Sequence, residues 1–153
     1  MRISIGADHR GFPLKQQLVP WLRSQGHEVA DVGTTSDQST DYPIYASQVA
    51  RQVAQGQAER GILVCGTGVG MCITANKVRG VRATVAADEA LARVSRQHNN
   101  VNVLCLGEKT EPAAAQKIVA TWLATEFEGG RHSRRIDEIA EVERAESQVS
   151  NKC

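Results

Sequence analysis

Apolar residues in this chain fall into short continuous runs, separated by longer stretches in which they recur every three or four positions. Runs within residues 2–6, 27–32, 61–64, 81–86 and 102–106 are too short for helices and are bounded by glycine or polar loops, so each is predicted as a strand. Between them the spacing turns helical. Leu14, Leu18, Trp21 and Leu22 share one face of a helix predicted over residues 12–24, which Pro13 suits as a first turn and Pro20 should kink or shorten. Tyr45, Ala46, Val49, Ala50 and Val53 form a second stripe after Tyr42-Pro43. A short helix over about 71–77 follows the third strand, and another over about 88–98 turns Leu91 and Val94 inward. The last of this series opens at Pro112 and buries Ile118, Val119, Trp122 and Leu123.

Strands that alternate with helices of about ten residues build a parallel sheet covered on both faces. The expected fold is therefore α/β: a three-layer αβα sandwich with a five-stranded parallel, Rossmann-like sheet and an extended C-terminal helix. Gly129-Gly130 should break the chain before that helix, which occupies about residues 128–150 and carries a thin apolar stripe of Ile136, Ile139, Ala140 and Val142. A stripe so narrow at a chain end is expected to pack on a second subunit. All of residues 1–153 fit one domain, long enough to bury most of its apolar surface without disulfides or metal.

Charge adds little to this picture. Eighteen Lys and Arg residues nearly balance seventeen Asp and Glu, so no global field points to nucleic acid or membrane. Aromatic residues are few and not interleaved with basic ones. The first residues lack the apolar core and cleavage site of a signal peptide, and no segment approaches the length of a membrane span, so a cytoplasmic location is expected. Cys65, Cys72, Cys105 and Cys153 form no C-x-x-C pair and no Cys/His set with zinc spacing. Neither a disulfide scaffold nor a structural zinc site is expected, and Cys72, Cys105 and Cys153 read as structural or incidental.

The chemistry-bearing stretch is Cys65-Gly66-Thr67-Gly68-Val69-Gly70, at the end of the third strand. Its glycines let the backbone approach a bound group closely, and free N–H groups at the start of the next helix make a seat for negative charge. It is neither a G-x-G-x-x-G nor a Walker loop. Cys65 stands where a helix N-terminus favours the thiolate, which makes it a candidate base or nucleophile; it reads equally as a small buried hydrophobe. Sites in parallel α/β folds lie beyond the carboxyl ends of the strands, which gathers Asp8 and His9 beside this loop. Asp8-His9 also reads as a solvated loop or cap, and His98-Asn99-Asn100 as an ordinary helix C-terminus. Arg131 and Arg135, four residues apart on one helical face, either grip a phosphate or form a solvated face.

Assembled, these motifs resemble the ribose-5-phosphate isomerase B family, which includes allose-6-phosphate and galactose-6-phosphate isomerases. The resemblance runs from Gly6-Ala7-Asp8-His9 through Thr40-Asp41-Tyr42-Pro43, the Cys65–Gly70 loop, Ala75-Asn76-Lys77 and Ser95-Arg96-Gln97-His98-Asn99 to Gly129-Gly130-Arg131-His132. It implies aldose–ketose isomerisation of ribose 5-phosphate through an enediolate, without metal or organic cofactor. Cys65 then resembles the proton-abstracting base, and the N–H groups of Gly66, Thr67, Gly68, Val69 and Gly70 the seat of the enediolate oxygen. Thr67 resembles a residue that steadies the reacting end, and His98, helped by Asp8, the acid–base that opens the sugar ring. Asn99 is similar to a hydroxyl donor, Tyr42 to a pocket wall, and His9, Arg131 and Arg135 to the phosphate grip. Lys109 stands where many relatives carry an arginine. Cys65 together with Met71 matches the cysteine-base subtype rather than the one with a glutamate base.

The resemblance further implies a homodimer, or a dimer of dimers, in which His98 and Asn99 come from the partner of the subunit supplying Cys65. The alternatives are isomerisation of a six-carbon sugar phosphate, a non-catalytic phosphosugar-binding domain that keeps the anion seat, and a redox sensor at Cys65, which lacks a resolving cysteine nearby in sequence.

Overall fold

The computed structural model of the protein describes residues 1–150, so Cys153 lies outside the described residues. Five strands, β1 (Arg2–Ala7), β2 (Glu28–Asp31), β3 (Arg60–Cys65), β4 (Ala83–Val85) and β5 (Val103–Gly107), pair in parallel in the order β2-β1-β3-β5-β4. The helices are α1 (Phe12–Ser24), α2 (Tyr42–Ala54), α3 (Val69–Ala75), α4 (Glu89–Asn99), α5 (Pro112–Ala124) and α6 (Arg131–Ser150). Parallel strands need right-handed crossovers, and each reversal of direction across the sheet sends the helix to the opposite face. From β1 the chain moves outward to β2 through α1, then returns past β1 to β3 through α2. This reversal puts α1 and α2 on opposite faces and opens a switch point between β1 and β3.

Alternate strand residues feed two cores. Ile62 and Val64 of β3 join Ile3, Ile5, Leu18, Leu22, Leu104, Ala92 and the fully buried Trp122 on the face of α1, α4 and α5. Leu63 and Cys65 join Val49, Ala50, Met71 and Cys105 beneath α2 and α3. Because both faces are covered, the inner strands read as unbroken apolar runs.

Three expectations need correction. Pro20 does not end α1, which continues to Ser24 with the proline on its exposed side. Leu91 and Val94 do not face inward; they are 43% and 40% exposed, while Ala92, Ser95 and Arg96 take the buried side of α4. A periodicity of three or four residues fits either side of a helix whose outer face is itself apolar. The glycine break stands, but α6 starts at Arg131 rather than near residue 128, because Gly129 and Gly130 both take positive φ.

Gly11 packs the start of α1 against β3, where an added Cβ would stand 2.2 Å from the Val64 carbonyl oxygen. Gly26, at φ +84°, has open space around the same position. Thermal unfolding should therefore separate the two: Gly11→Ala should cost about 3 kcal/mol or more through overpacking, and Gly26→Ala about 1–2 kcal/mol through backbone strain. Equal losses would contradict the packing role of Gly11.

Candidate functional site

At the switch point, β3 ends in Cys65 and the backbone turns sharply into α3. Gly68 makes that turn in the left-handed region (φ 80°), where an added Cβ would come within 3.1 Å of the Leu106 backbone. The turn brings the Gly68 N–H to 3.1 Å from Cys65 Sγ, which accepts its hydrogen bond. The Val69 N–H donates to Thr67 Oγ1 at 3.3 Å, and the Glu108 N–H donates to the Cys65 carbonyl at 2.8 Å. Gly70 lies under the Tyr42 ring, so close that a Cβ would meet it at 2.6 Å. The loop is thus fixed by β5 below and by the first residue of α2 above.

The β1 loop enters from the other side of the crevice. Asp8 is 4% exposed, and its Oδ1 accepts the N–H groups of Arg10 at 2.9 Å and Gly11 at 3.0 Å. One carboxylate oxygen therefore serves the turn, as a cap would, while Oδ2 makes no hydrogen bond among the described residues. His9 Nδ1 stands 3.2 Å from both the N and the O of Thr40, which ties it to the loop before α2 and leaves Nε2 for another partner. Lys109 is exposed beside Glu108, whose carboxyl Arg10 holds below the ordinary value. Arg10 grips Glu108 through both carboxylate oxygens, Nε to Oε2 at 2.9 Å, with its guanidinium over Gly66. This clasp was missed in the sequence because its two members lie 98 residues apart.

His98 and Asn99 are not at this end of the sheet. Helix α4 returns the chain from β4 to β5 and so runs antiparallel to both, ending beside the strands' amino ends; its 11 residues span about 16 Å. Asn100 closes the helix in the left-handed region at φ 46°. Arg82, just before β4, donates from Nε to the Asn99 carbonyl at 3.0 Å and from Nη2 to the Asn100 carbonyl at 2.9 Å. Arg96, 2% exposed, donates to Asn100 Oδ1 at 2.8 Å and to the carbonyls of Val101 and Thr125. Burial, with the nearby Arg60 charge, lowers Arg96 to about 10, still cationic at neutral pH.

Here α6 begins. The Glu128 N–H donates to the Gln97 carbonyl at 3.1 Å, and the glycine turn brings His132 against His98, their rings stacked with centroids 4.3 Å apart and planes 12° from parallel. His132 is 5% exposed, and its Nε2 lies 3.6 Å from Glu128 Oε2. Arg131 and Arg135 are exposed on the surface beside it, close enough for both charges to act on the imidazole. The structure thus sorts the residues singled out in the sequence into two groups: Asp8, His9, Tyr42, Cys65–Gly70 and Lys109 at the carboxyl ends of the strands, and His98, Asn99, Arg131 and Arg135 at the amino ends. No hydrogen bond or ion pair among the described residues joins them. The contacts that His132 and Glu128 make with the end of α4 were missed in the sequence, because only the fold brings α6 back to α4.

An α/β protein whose glycine turn folds around a buried thiol at the carboxyl ends of the strands is what the first group defines. The comparisons are narrower. The family described as ribose/galactose isomerase matches residues 3–139. The chain is 49% identical to the ribose-5-phosphate isomerase B of Escherichia coli, over 93% of this chain and 96% of that protein. The solved structure of Clostridium thermocellum ribose-5-phosphate isomerase B superimposes with a TM-score of 0.93 at 46% identity, covering 95% of this chain and 99% of the other. Ribose-5-phosphate isomerase B from Mycoplasma genitalium, solved with bound ribulose 5-phosphate, gives 0.90 at 43% identity over 94% and 96% of the two chains. The chain belongs to the ribose/galactose isomerase family. No helix among the described residues is long and apolar enough to cross a membrane.

Burial, the His98 ring and the Arg131 charge hold His132 below its ordinary value of 6.5, despite Glu128. A folded-state value below the unfolded one means that the unfolded chain binds the proton more readily. The stability this imidazole contributes is complete above about pH 6.5 and lost as pH falls through the lower folded value. Melting temperatures across about pH 5 to 7.5 should fall towards acid, and His132→Gln should flatten that fall. An unchanged slope would show that His132 does not carry it.

Proposed function

We propose that the protein interconverts ribose 5-phosphate and ribulose 5-phosphate, and that each active site joins the Cys65 half-site of one subunit to the His98 half-site of another. The observation that carries the reading is the hydrogen bond from Gly68 to Cys65 Sγ inside a loop of glycine N–H groups. It puts a sulfur suited to abstracting a proton beside donors suited to the oxyanion that the abstraction creates. Family membership and the ribose-5-phosphate isomerase relatives support the substrate.

Cys65 moves the proton between the two carbons of the sugar's reacting end. With the Gly68 N–H turned to Cys65 Sγ and the Val69 N–H to Thr67 Oγ1, the N–H groups of Gly66, Thr67 and Gly70 are left to receive the enediolate oxygen, and a donor held in place before reaction contributes on the order of 3–4 kcal/mol to lowering the barrier. Thr67 steadies the reacting end, and Tyr42 walls it over Gly70. His98 opens the furanose ring as acid–base, with Asp8 opposite it across the joint and Asn99 as a hydroxyl donor. His9, Arg131 and Arg135 hold the phosphate, and Lys109 adds charge at the rim.

A single chain separates His98 from Cys65 by the length of α4, so a homodimer supplies what one copy lacks. Leu91, Val94, Ile139 and Val142 support this. They line a groove of about 800 Å³ between α4 and α6 that the described chain leaves open. On this reading α6, within the single domain formed by residues 1–153, packs on the partner subunit. The enzyme is read as cytoplasmic and independent of metal.

Purified protein assayed in chelator should convert ribose 5-phosphate with a higher specificity constant than allose or galactose 6-phosphate; preference for a six-carbon substrate would reassign the sugar and keep the chemistry. Cys65→Ala should lower kcat by several orders of magnitude with substrate binding largely retained, and full activity would remove Cys65 as the base. Arg131→Ala combined with Arg135→Ala should raise KM steeply. Tight phosphosugar binding by wild-type protein with no turnover would favour the binding-domain alternative.

A further inference from the structure

We propose that His98, Glu128 and His132 form a binding site for a divalent transition-metal cation of the zinc class, and that its occupancy switches the isomerase off. The inhibitory half rests on the ring-opening role of His98 given above; the binding half rests on geometry alone. One ligand atom from each of the three side chains lies within 4.8 Å of the others, and the His132 Nε2 to Glu128 Oε2 separation is already 3.6 Å. Two imidazoles and a carboxylate are the donor set of a zinc site that keeps a fourth position open, with metal–ligand distances near 2.0–2.2 Å. Tetrahedral ligands at that distance stand about 3.3 Å apart, so the widest separation in the set needs to contract by about 1.5 Å.

The backbone already holds the three together. The Glu128 N–H bonds the Gln97 carbonyl, next to His98, and the His132 N–H bonds the Gly129 carbonyl across the glycine turn. Glu128 is exposed and His98 half-buried, which leaves a path for the ion from solvent. Two features limit affinity. The rings are nearly parallel, so one must tilt out of the stack for both lone pairs to meet one ion. Arg131 and Arg135 place positive charge beside the site. The site therefore suits a reversible inhibitory ion rather than a structural one. Coordination of His98 removes the lone pair needed to take a proton from the sugar ring; no bond is made or broken in the protein.

The test uses the full-length protein. Cobalt(II) titration in the absence of substrate should give the intense visible bands of a low-coordinate nitrogen and oxygen site at one ion per chain. Zinc should inhibit the isomerase reversibly, with activity restored by chelator. Glu128→Gln, which keeps the backbone bond to Gln97, should retain activity in chelator while raising the half-inhibitory zinc concentration about tenfold or more. His132→Gln should abolish the cobalt spectrum. Equal zinc sensitivity of wild type and Glu128→Gln would overturn the proposal, as would a cobalt spectrum no stronger than that of the hydrated ion or one dominated by thiolate charge transfer. If wild-type protein shows no turnover in chelator, the isomerase reading fails, and the cobalt titration still decides the metal site.

Discussion

A helix that returns one parallel strand to the next must start beside the first strand's carboxyl end and finish beside the next strand's amino end. This constraint governs the whole molecule. It puts the Cys65 loop and the end of α4 on opposite edges of the sheet, and no side-chain adjustment closes a gap set by 11 residues of helix. Residues that look like one catalytic set along the sequence are, in one chain, two sets facing away from each other.

Each edge is stiffened by a different device. At the carboxyl edge the backbone does the work: Gly68 in the left-handed region and Gly70 beneath Tyr42 are positions where a side chain would collide. At the amino edge the carbonyls of Asn99 and Asn100 at the end of α4, which no helical N–H reaches, are met by Arg82, while Arg96 secures the turn beyond through Asn100 Oδ1 and the Val101 carbonyl. Two guanidinium groups at the negative end of a helix also meet its dipole favourably. His98 and Asn99 are therefore held by residues that need not touch a ligand. Arg96 carries the larger constraint, since its buried charge is tied to the α4 terminus and to the Thr125 carbonyl after α5 at once.

How much of this the sequence discloses follows from which interactions are local. Strands and their order of appearance were legible because fully covered parallel strands leave continuous apolar runs, and the Cys65 loop because its alternating glycines, Gly66, Gly68 and Gly70, mark a tight turn. The outward side of Leu91 and Val94 was not, because an apolar face awaiting another surface looks the same as one facing the core. The Arg10–Glu108 clasp, the His98–His132 stack and the guanidinium props of α4 are long-range contacts between polar residues of ordinary composition. Such contacts follow from topology alone, and pattern along the chain carries no trace of them.

The exposed apolar residues carry the argument one step further. Val69 and Ile73, 51% and 57% exposed on α3, stand within a turn of the anion seat, and Ile44, 51% exposed, lies beside Tyr42 at the start of α2. In an isolated chain water would reach the loop from this side, and hydrogen bonds to a developing oxyanion would act in a high dielectric, where they are weak. A second subunit laid on the same residues would dry the seat while bringing the His98 edge towards the thiol. In the proposed dimer, assembly and chemistry would be one requirement: the surface that buried the apolar side chains would also be the surface that gave the glycine N–H groups their electrostatic strength.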